Sequence, residues 1–323
     1  YLAVNRNKRS AIADLKSSEG QDFVRHIAQH ADILVENFRP NTLEKYNLSL
    51  AHLRELNPRL ITLTISGMGA TGPESHLPGY DFIVQATGGL MAITGDADGE
   101  PSKVGVAIVD LTTGMLATNA ILAALYHRER TGAGQHIDIS LLESQVAWLA
   151  NVGSAYLVTG EEPQRYGNSH ATIVPYQTFH ASDRVFALAV GNDGQWQSLC
   201  RLLDRADLAN DPRFASNPER VKQRSILVQL LDDHFATNTA DHWVEVIQTA
   251  GIPVGAVRSI GQVLNDPQVL ARDMVVTVHH PTIGDLKLLG IPFKFSVTPA
   301  TIRRPPPLLG EHTAEIMHLF NLT

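Results

Sequence analysis

A single cysteine, Cys200, stands among the 323 residues, which excludes an internal disulfide and every multi-thiolate metal site. A reducing compartment is the expected home: the cytoplasm, or the mitochondrial matrix if the source is eukaryotic. Positive charge is also scarce, since 26 Lys and Arg face 33 Asp and Glu for a formal charge of −7. A nucleic-acid binder needs a clustered positive field, so no such partner is expected. Long apolar runs are missing too. The best candidate, LTTGMLATNAILAALYH from Leu111 to His127, is shorter than the span of about 20 apolar residues and rich in Thr, Gly and Asn, so no membrane is expected. The opening stretch YLAVNRNKRSAIADLK does not read as a signal peptide, and none is expected. It opens at Tyr1 rather than Met, in what reads as the interior of a domain, and suggests a fragment or a processed chain.

What is present is ordinary for a globular protein: 44% hydrophobic and 18% charged residues, over a length that suggests two domains. The first half alternates. Helical periodicity over 18–31, with Phe23, Val24 and Ile27 on one face, precedes the apolar run 33–37. A helix capped by Ser49 and stopped by Pro58 leads to LITLTIS (60–66), a buried strand by its β-branched content. YDFIVQATGGLM reads as helix, VGVAIV (104–109) as strand, 111–127 as helix, HIDIS (136–140) as strand and 141–158 as helix. Unbroken apolar strands alternating with helices indicate a doubly wound, Rossmann-like α/β domain with a parallel sheet. The second half predicts a smaller α+β domain. It has a hairpin turning at Ser182-Asp183, helices at 193–204, 217–236 and 240–250, a two-stranded pattern around HHPTIGDLKLLG, and IPFKFS. A Pro305–Pro307 run and a capped helix close the chain.

The motifs are modest. GMGATG (67–72) matches G-x-G-x-x-G, but Pro73 follows at once and no acidic strand end lies about 20 residues on, so a tight loop is the better reading. His26 and His30 have helical metal-pair spacing, yet Ile27 stands where H-E-x-x-H needs its Glu, and no metal is expected. His279-His280 reads as surface, and Ser66 lacks the first Gly of a nucleophile elbow. Asp110 is more informative. It ends the predicted strand 104–109 and precedes the uncharged helix, at the carboxyl edge where open α/β sheets bind ligands. It is either an N-cap or a carboxylate nucleophile or base kept ionised by the helix start, and spacing does not separate the two.

Six segments in order, VNRNKRSAIADLK (4–16), VENFRPNTLEK (35–45), PGYDFIVQATGGLM (78–91), VDLTTGM (109–115), RTGAGQHIDISLLES (130–144) and PLLGEHT (307–313), resemble the family III CoA-transferases, or CaiB/BaiF proteins. The resemblance implies that Asp110, in D-x-x-T-G, is the nucleophile that attacks an acyl-CoA thioester. An aspartyl anhydride and then an aspartyl-CoA thioester follow, and an incoming carboxylate collects the CoA. Backbone N–H groups at a helix start or in a Gly-rich loop would serve the oxyanion. Coenzyme A would contact Ala13, Lys16, Asn37, Phe38, Lys45 and Tyr80, with Lys45 replacing a common Arg. Racemases of the family carry His where this chain has Tyr80, which favours transfer over racemisation; an α-methylacyl-CoA racemase-like or dehydratase-like CoA enzyme is the runner-up, and an NAD-dependent oxidoreductase or an inactive homologue the further alternatives. RYGNSHATIVPYQTF (165–179) looks most like members that move CoA between dicarboxylates, with Arg165 and His170 near the acyl end or packing a loop. The expected organisation is a CoA-binding domain over 1–165, an α+β domain over 172–290, and a segment 291–323 returning to the first. The resemblance further implies an interlocked homodimer, and an additional strand–helix unit before Tyr1 and residues past Thr323.

Overall fold

The computed structural model describes residues 1–322. In chain order, α1 (Ser18–His30) is capped by the Ser17 hydroxyl and followed by β1 (Ile33–Glu36). The Ser49 hydroxyl caps α2 (Leu50–Leu56), which leads to β2 (Ile61–Ser66). Then come α3 (Asp81–Thr87), α4 (Ile108–Thr131), β3 (His136–Ser140), α5 (Leu141–Ala147) and α6 (Ala150–Thr159). The second half holds β4 (Tyr176–His180), β5 (Val185–Ala189), α7 (Asp193–Leu202), α8 (Ala206–Asn210), α9 (Asn217–Lys222), α10 (Arg224–Phe235), α11 (Ala240–Gln248) and β6 (Val254–Ala256). Helices α12 (Ile260–Leu264) and α13 (Pro267–Ala271), the hairpin β7 (Val275–His280) with β8 (Gly284–Leu289), and α14 (Thr313–Leu319) complete the chain.

Strands β1, β2 and β3 form a parallel sheet in that order, with Val35 opposite Leu63 and Leu63 opposite Ile137. Alternation along each strand assigns its two faces. Leu34 turns toward α1 and α2, where Leu48, Leu53 and Leu60 are buried. Ile65 turns the other way, onto Val84, Val109 and Leu141 from α3, α4 and α5. All three strands point their carboxyl ends at one edge, and the loops gathered there build the site.

Several boundaries differ from the sequence reading. Residues 104–107 form no strand: Gly105 interrupts the run, Val106 is exposed, and the Val104 N–H donates to the Gln85 side chain rather than to a neighbouring strand. The predicted helix 111–127 instead runs from Ile108 to Thr131, long and apolar enough to cross a membrane by length and composition alone. One face of it is packed in protein: Val109, Thr112, Thr113, Ala117, Ala124 and Arg128 are buried. Arg128 ties its C-terminal end down by hydrogen bonds to the carbonyls of Asp32 and Arg59 and an ion pair with the Asp32 carboxylate at 3.0 Å. The helix expected over 141–158 breaks between α5 and α6, where Ala150 takes a φ of 41°. The helix expected over 217–236 divides at Gln223, IPFKFS forms no strand, and α14 lacks the side-chain cap expected of it. The pair His279-His280 does not lie wholly at the surface. Adjacent strand residues face opposite ways, so His280 is buried and its Nδ1 accepts from the Thr282 amide.

The chain divides into two compact units, one of residues 1–92, 103–163 and 264–323, the other of residues 93–102 and 164–263. Hairpin β7–β8 therefore falls in the first unit rather than the second. Residues 93–102 join the second because Arg165 donates to the carbonyls of Asp96 and Gly99, and the Gly167 N–H donates to Gly95. In the first unit the tail returns to the N-terminus: the Tyr1 hydroxyl donates to the Pro307 carbonyl and the Asn7 N–H to that of Arg304. The second unit packs helices on the antiparallel sheet β4-β5-β6 around Phe179, Phe186, Trp196 and Phe235. Cys200 sits in that core, where burial pushes its thiol up to about 12. It has the placement of a small packing residue.

Candidate active site

Asp110 is the third residue of α4, whose cap position is held by Ala107 with no side-chain acceptor of its own. It neither ends a strand nor caps the helix. Its carboxylate opens into a cavity of about 540 Å³ at the carboxyl edge of the sheet. The loop after β1 contributes Asn37, Phe38 and Arg39, the segment before α3 contributes His76 and Tyr80, and Thr113 lies one turn along α4. The loops come together because two glycines leave their backbones room. A Cβ on Gly67 would collide with the Gly79 backbone, and one on Gly79 with Gly67. GMGATG is thus the tight turn its Pro73 suggests: Gly69 and Gly72 adopt positive φ of 102° and 95°, and the Gly69 N–H donates to the Ser66 hydroxyl.

The electrostatics run against the sequence expectation. A free helix start would hold Asp110 ionised through its N–H groups, but those nearest are occupied. The Asp81 Oδ2 accepts from the Val109 N–H at 2.7 Å and from the Asp110 N–H at 3.2 Å. Partial burial and the neighbouring Asp81 charge instead raise the Asp110 carboxyl above the ordinary carboxylate range. A more basic carboxylate is a better nucleophile while it remains ionised. The same contacts remove these two amides from the candidate oxyanion donors.

Asp110, Asn37, Phe38 and Tyr80 share this one cavity. Ala13, Lys16 and Lys45 line neither it nor the neighbouring cavity of about 580 Å³, which Glu36, Arg54 and His136 help to form. Lys16 and Lys45 are exposed, and neither makes an ion pair among the described residues. Arg165 and His170 lie in the other unit and hold a loop. Arg165 spends its guanidinium on two carbonyls, and the His170 Nδ1 accepts from the Thr172 amide. Asp81, Gln85, Arg39 and His76 escaped the sequence reading. A signal for the first two existed, since Asp81 and Gln85 are four apart on a short, mostly apolar helix and therefore share a face.

A parallel α/β sheet with a carboxylate-bearing cavity at its carboxyl edge defines the general class. Residues 1–313 match the family described as CoA-transferase family III. The chain belongs to CoA-transferase family III and is an enzyme of the CoA-transferase class. It is similar to the succinate–glutarate CoA-transferase of Agrobacterium fabrum, 42% identical over 317 residues that cover 98% of this chain and 79% of that protein. The acetyl-CoA:oxalate CoA-transferase of Acetobacter aceti is 37% identical over 322 residues, 99% of this chain and 82% of that protein. Among solved structures, a CaiB/BaiF family protein from Brucella suis superposes with a TM-score of 0.90 at 40% identity, covering 99% of this chain and 83% of that one.

Proposed function

We propose that this chain transfers CoA between carboxylic acids, dicarboxylates among them, through covalent intermediates on Asp110. The observation that carries the reading is the Asp110 carboxylate, raised in basicity and facing a cavity that Asn37, Phe38 and Tyr80 also line. An Asp110 oxygen attacks the thioester carbonyl, the C–S bond breaks, and an aspartyl anhydride and CoA thiolate result. The thiolate then attacks the aspartyl carbonyl, releases the donor acid as its carboxylate and leaves an aspartyl-CoA thioester. An acceptor carboxylate attacks that thioester and expels the thiolate, which takes the acceptor acyl group and restores Asp110. Each step passes through an oxyanion and needs a held carbonyl rather than an external base.

Asn37, Phe38 and Tyr80 would hold the pantetheine arm, with Lys16, Lys45 and the Ala13 backbone segment serving the nucleotide end. Arg39 and His76 line the cavity with Asp110, and Arg39 makes no ion pair among the described residues. That leaves a cation for the far carboxylate of a dicarboxylate, and the names of the relatives support the same substrate class. Tyr80 in place of a histidine supports transfer over α-proton exchange. The test is a matrix of acyl-CoA donors against carboxylate acceptors, read by mass spectrometry. CoA is expected to move from succinyl-CoA to short dicarboxylates, and α-proton exchange without any transfer would reverse the reading.

Helices on both faces of β2 support a doubly wound sheet, and a second copy of the chain would cover the outer side of α4. Leu111, Met115, Leu122 and Tyr126 are exposed there in helical register. An interlocked homodimer matches that apolar stripe. Sedimentation of the full chain is expected to give a dimer, and Leu122→Glu a monomer; a monomeric parent chain would remove the assembly from the reading.

A further inference from the structure

We propose that Asp81 and Gln85 form a positioning relay that fixes the start of α4 and holds the Asp81 carboxylate beside Asp110. The inference rests on the reading of Asp110 as the nucleophile. A helix start leaves four backbone N–H groups without partners, and α4 supplies no cap from its own sequence because Ala107 occupies the position. Asp81 answers from another helix, its Oδ2 accepting from Val109 and Asp110. Its Oδ1 accepts from the Gln85 Nε2 at 2.5 Å. Gln85 is completely buried, and its Oε1 accepts from the Val104 N–H at 2.9 Å. That last contact decides the orientation of the amide, since a backbone N–H must meet the carbonyl oxygen and leaves the NH₂ for Asp81. Three amides on both sides of the turn into α4 are therefore held from α3 alone.

The arrangement has two consequences for the nucleophile. Two amides of the first turn of α4 are held by Asp81, one of them that of Asp110 itself, so the Asp110 side chain leaves a backbone anchored from α3. Asp81 also occupies the amides at the positive end of the helix in place of Asp110, whose carboxyl is raised by burial and by the Asp81 charge. The other ionisable groups facing the same cavity are Arg39, His76 and Tyr80, from the loops beside it. α5 and β2 present only Leu141, Ile65 and Ser66 to it. Asp81 is thus the sole acidic neighbour among the cavity-lining residues.

The relay is tested on the full chain by single-turnover CoA release from acyl-CoA without acceptor, followed against pH. Asp81→Asn keeps an oxygen for the two N–H groups, removes the charge, and turns an NH₂ toward the Gln85 NH₂, so that it also gives up the hydrogen bond between the two side chains. Its acid limb is expected to move to lower pH, with the KM for acyl-CoA within about twofold of the parent and the plateau rate down about tenfold. Gln85→Leu is expected to lower the plateau rate by about 10- to 100-fold, again with little change in KM. A purely structural role would not move the acid limb. An unmoved limb in Asp81→Asn, with a parent enzyme that still forms the Asp110 adduct, overturns the relay alone. A parent enzyme that forms no adduct overturns the nucleophile and the relay together.

Discussion

Asp110→Asn is expected to lower CoA exchange by about three to five orders of magnitude, the scale of removing a covalent nucleophile. A carboxamide has nearly the shape of the carboxylate, so acyl-CoA binding should change by less than about threefold. The loss then falls on kcat. Hydroxylamine should trap an aspartyl adduct from the parent chain incubated with acyl-CoA, and peptide mapping should place it at residue 110. Asp110→Ala is the companion variant, because an asparagine can revert by deamidation. Full exchange in Asp110→Ala would sink the mechanism. The same substitution has an opposite effect on stability. Burial and Asp81 raise the Asp110 carboxyl in the folded chain, so ionising it at neutral pH disfavours the fold. Asp110→Asn should therefore be the more stable protein at neutral pH. The advantage should fade as pH falls through the raised folded value and vanish below the unfolded one, where both carboxyls are protonated.

Arg220→Met is expected to destabilise the second unit by about 3–5 kcal/mol, seen as a fall in its Tm of roughly 10–20 °C. The Arg220 side chain is fully buried on α9. Its guanidinium donates to the carbonyl of Val174 at 2.7 Å, to that of Phe214 at 3.1 Å and to the Asp193 carboxylate at 2.8 Å, and it lies 5.3 Å from the Trp196 ring centroid. Methionine replaces the packing against Trp196 but offers no donors. Two buried carbonyls then lose their partners, at about 1–3 kcal/mol each. The Asp193 carboxylate is half exposed and can be hydrated, which limits its share of the loss. Calorimetry resolves the outcome, and a change below about 1 kcal/mol would mean that water replaces the guanidinium.

Much of the fold was legible because its signals are local. Ser49 caps its helix with a hydroxyl a few residues away, and the β-branched run Ile61–Ser66 is a central strand that needs burial on both faces. The failures share a different cause. VGVAIV has the composition of a strand, but no strand lies beside it, and the buried Gln85 takes its Val104 amide instead. The break at Ala150 and the division at Gln223 likewise lack a glycine or proline to announce them. Asp110 was found through a motif, yet its surroundings were misread, because its chief charged neighbour lies 29 positions away in the sequence.

The sequence by itself determined the family and most of the strands and helices of the first unit, and it singled out the Asp110 carboxylate in its D-x-x-T-G segment. These depend on residue type and short spacing. Tertiary structure alone decided how that carboxylate is tuned. A helix start ordinarily favours a nearby anion, and one of the two readings open to Asp110 from its spacing gives it that benefit. Folding brings Asp81 to the same amides first, and a charge that occupies the positive end of a helix denies it to the next. The outcome is a carboxylate made more basic rather than less, set by a contact between two helices that no local pattern records.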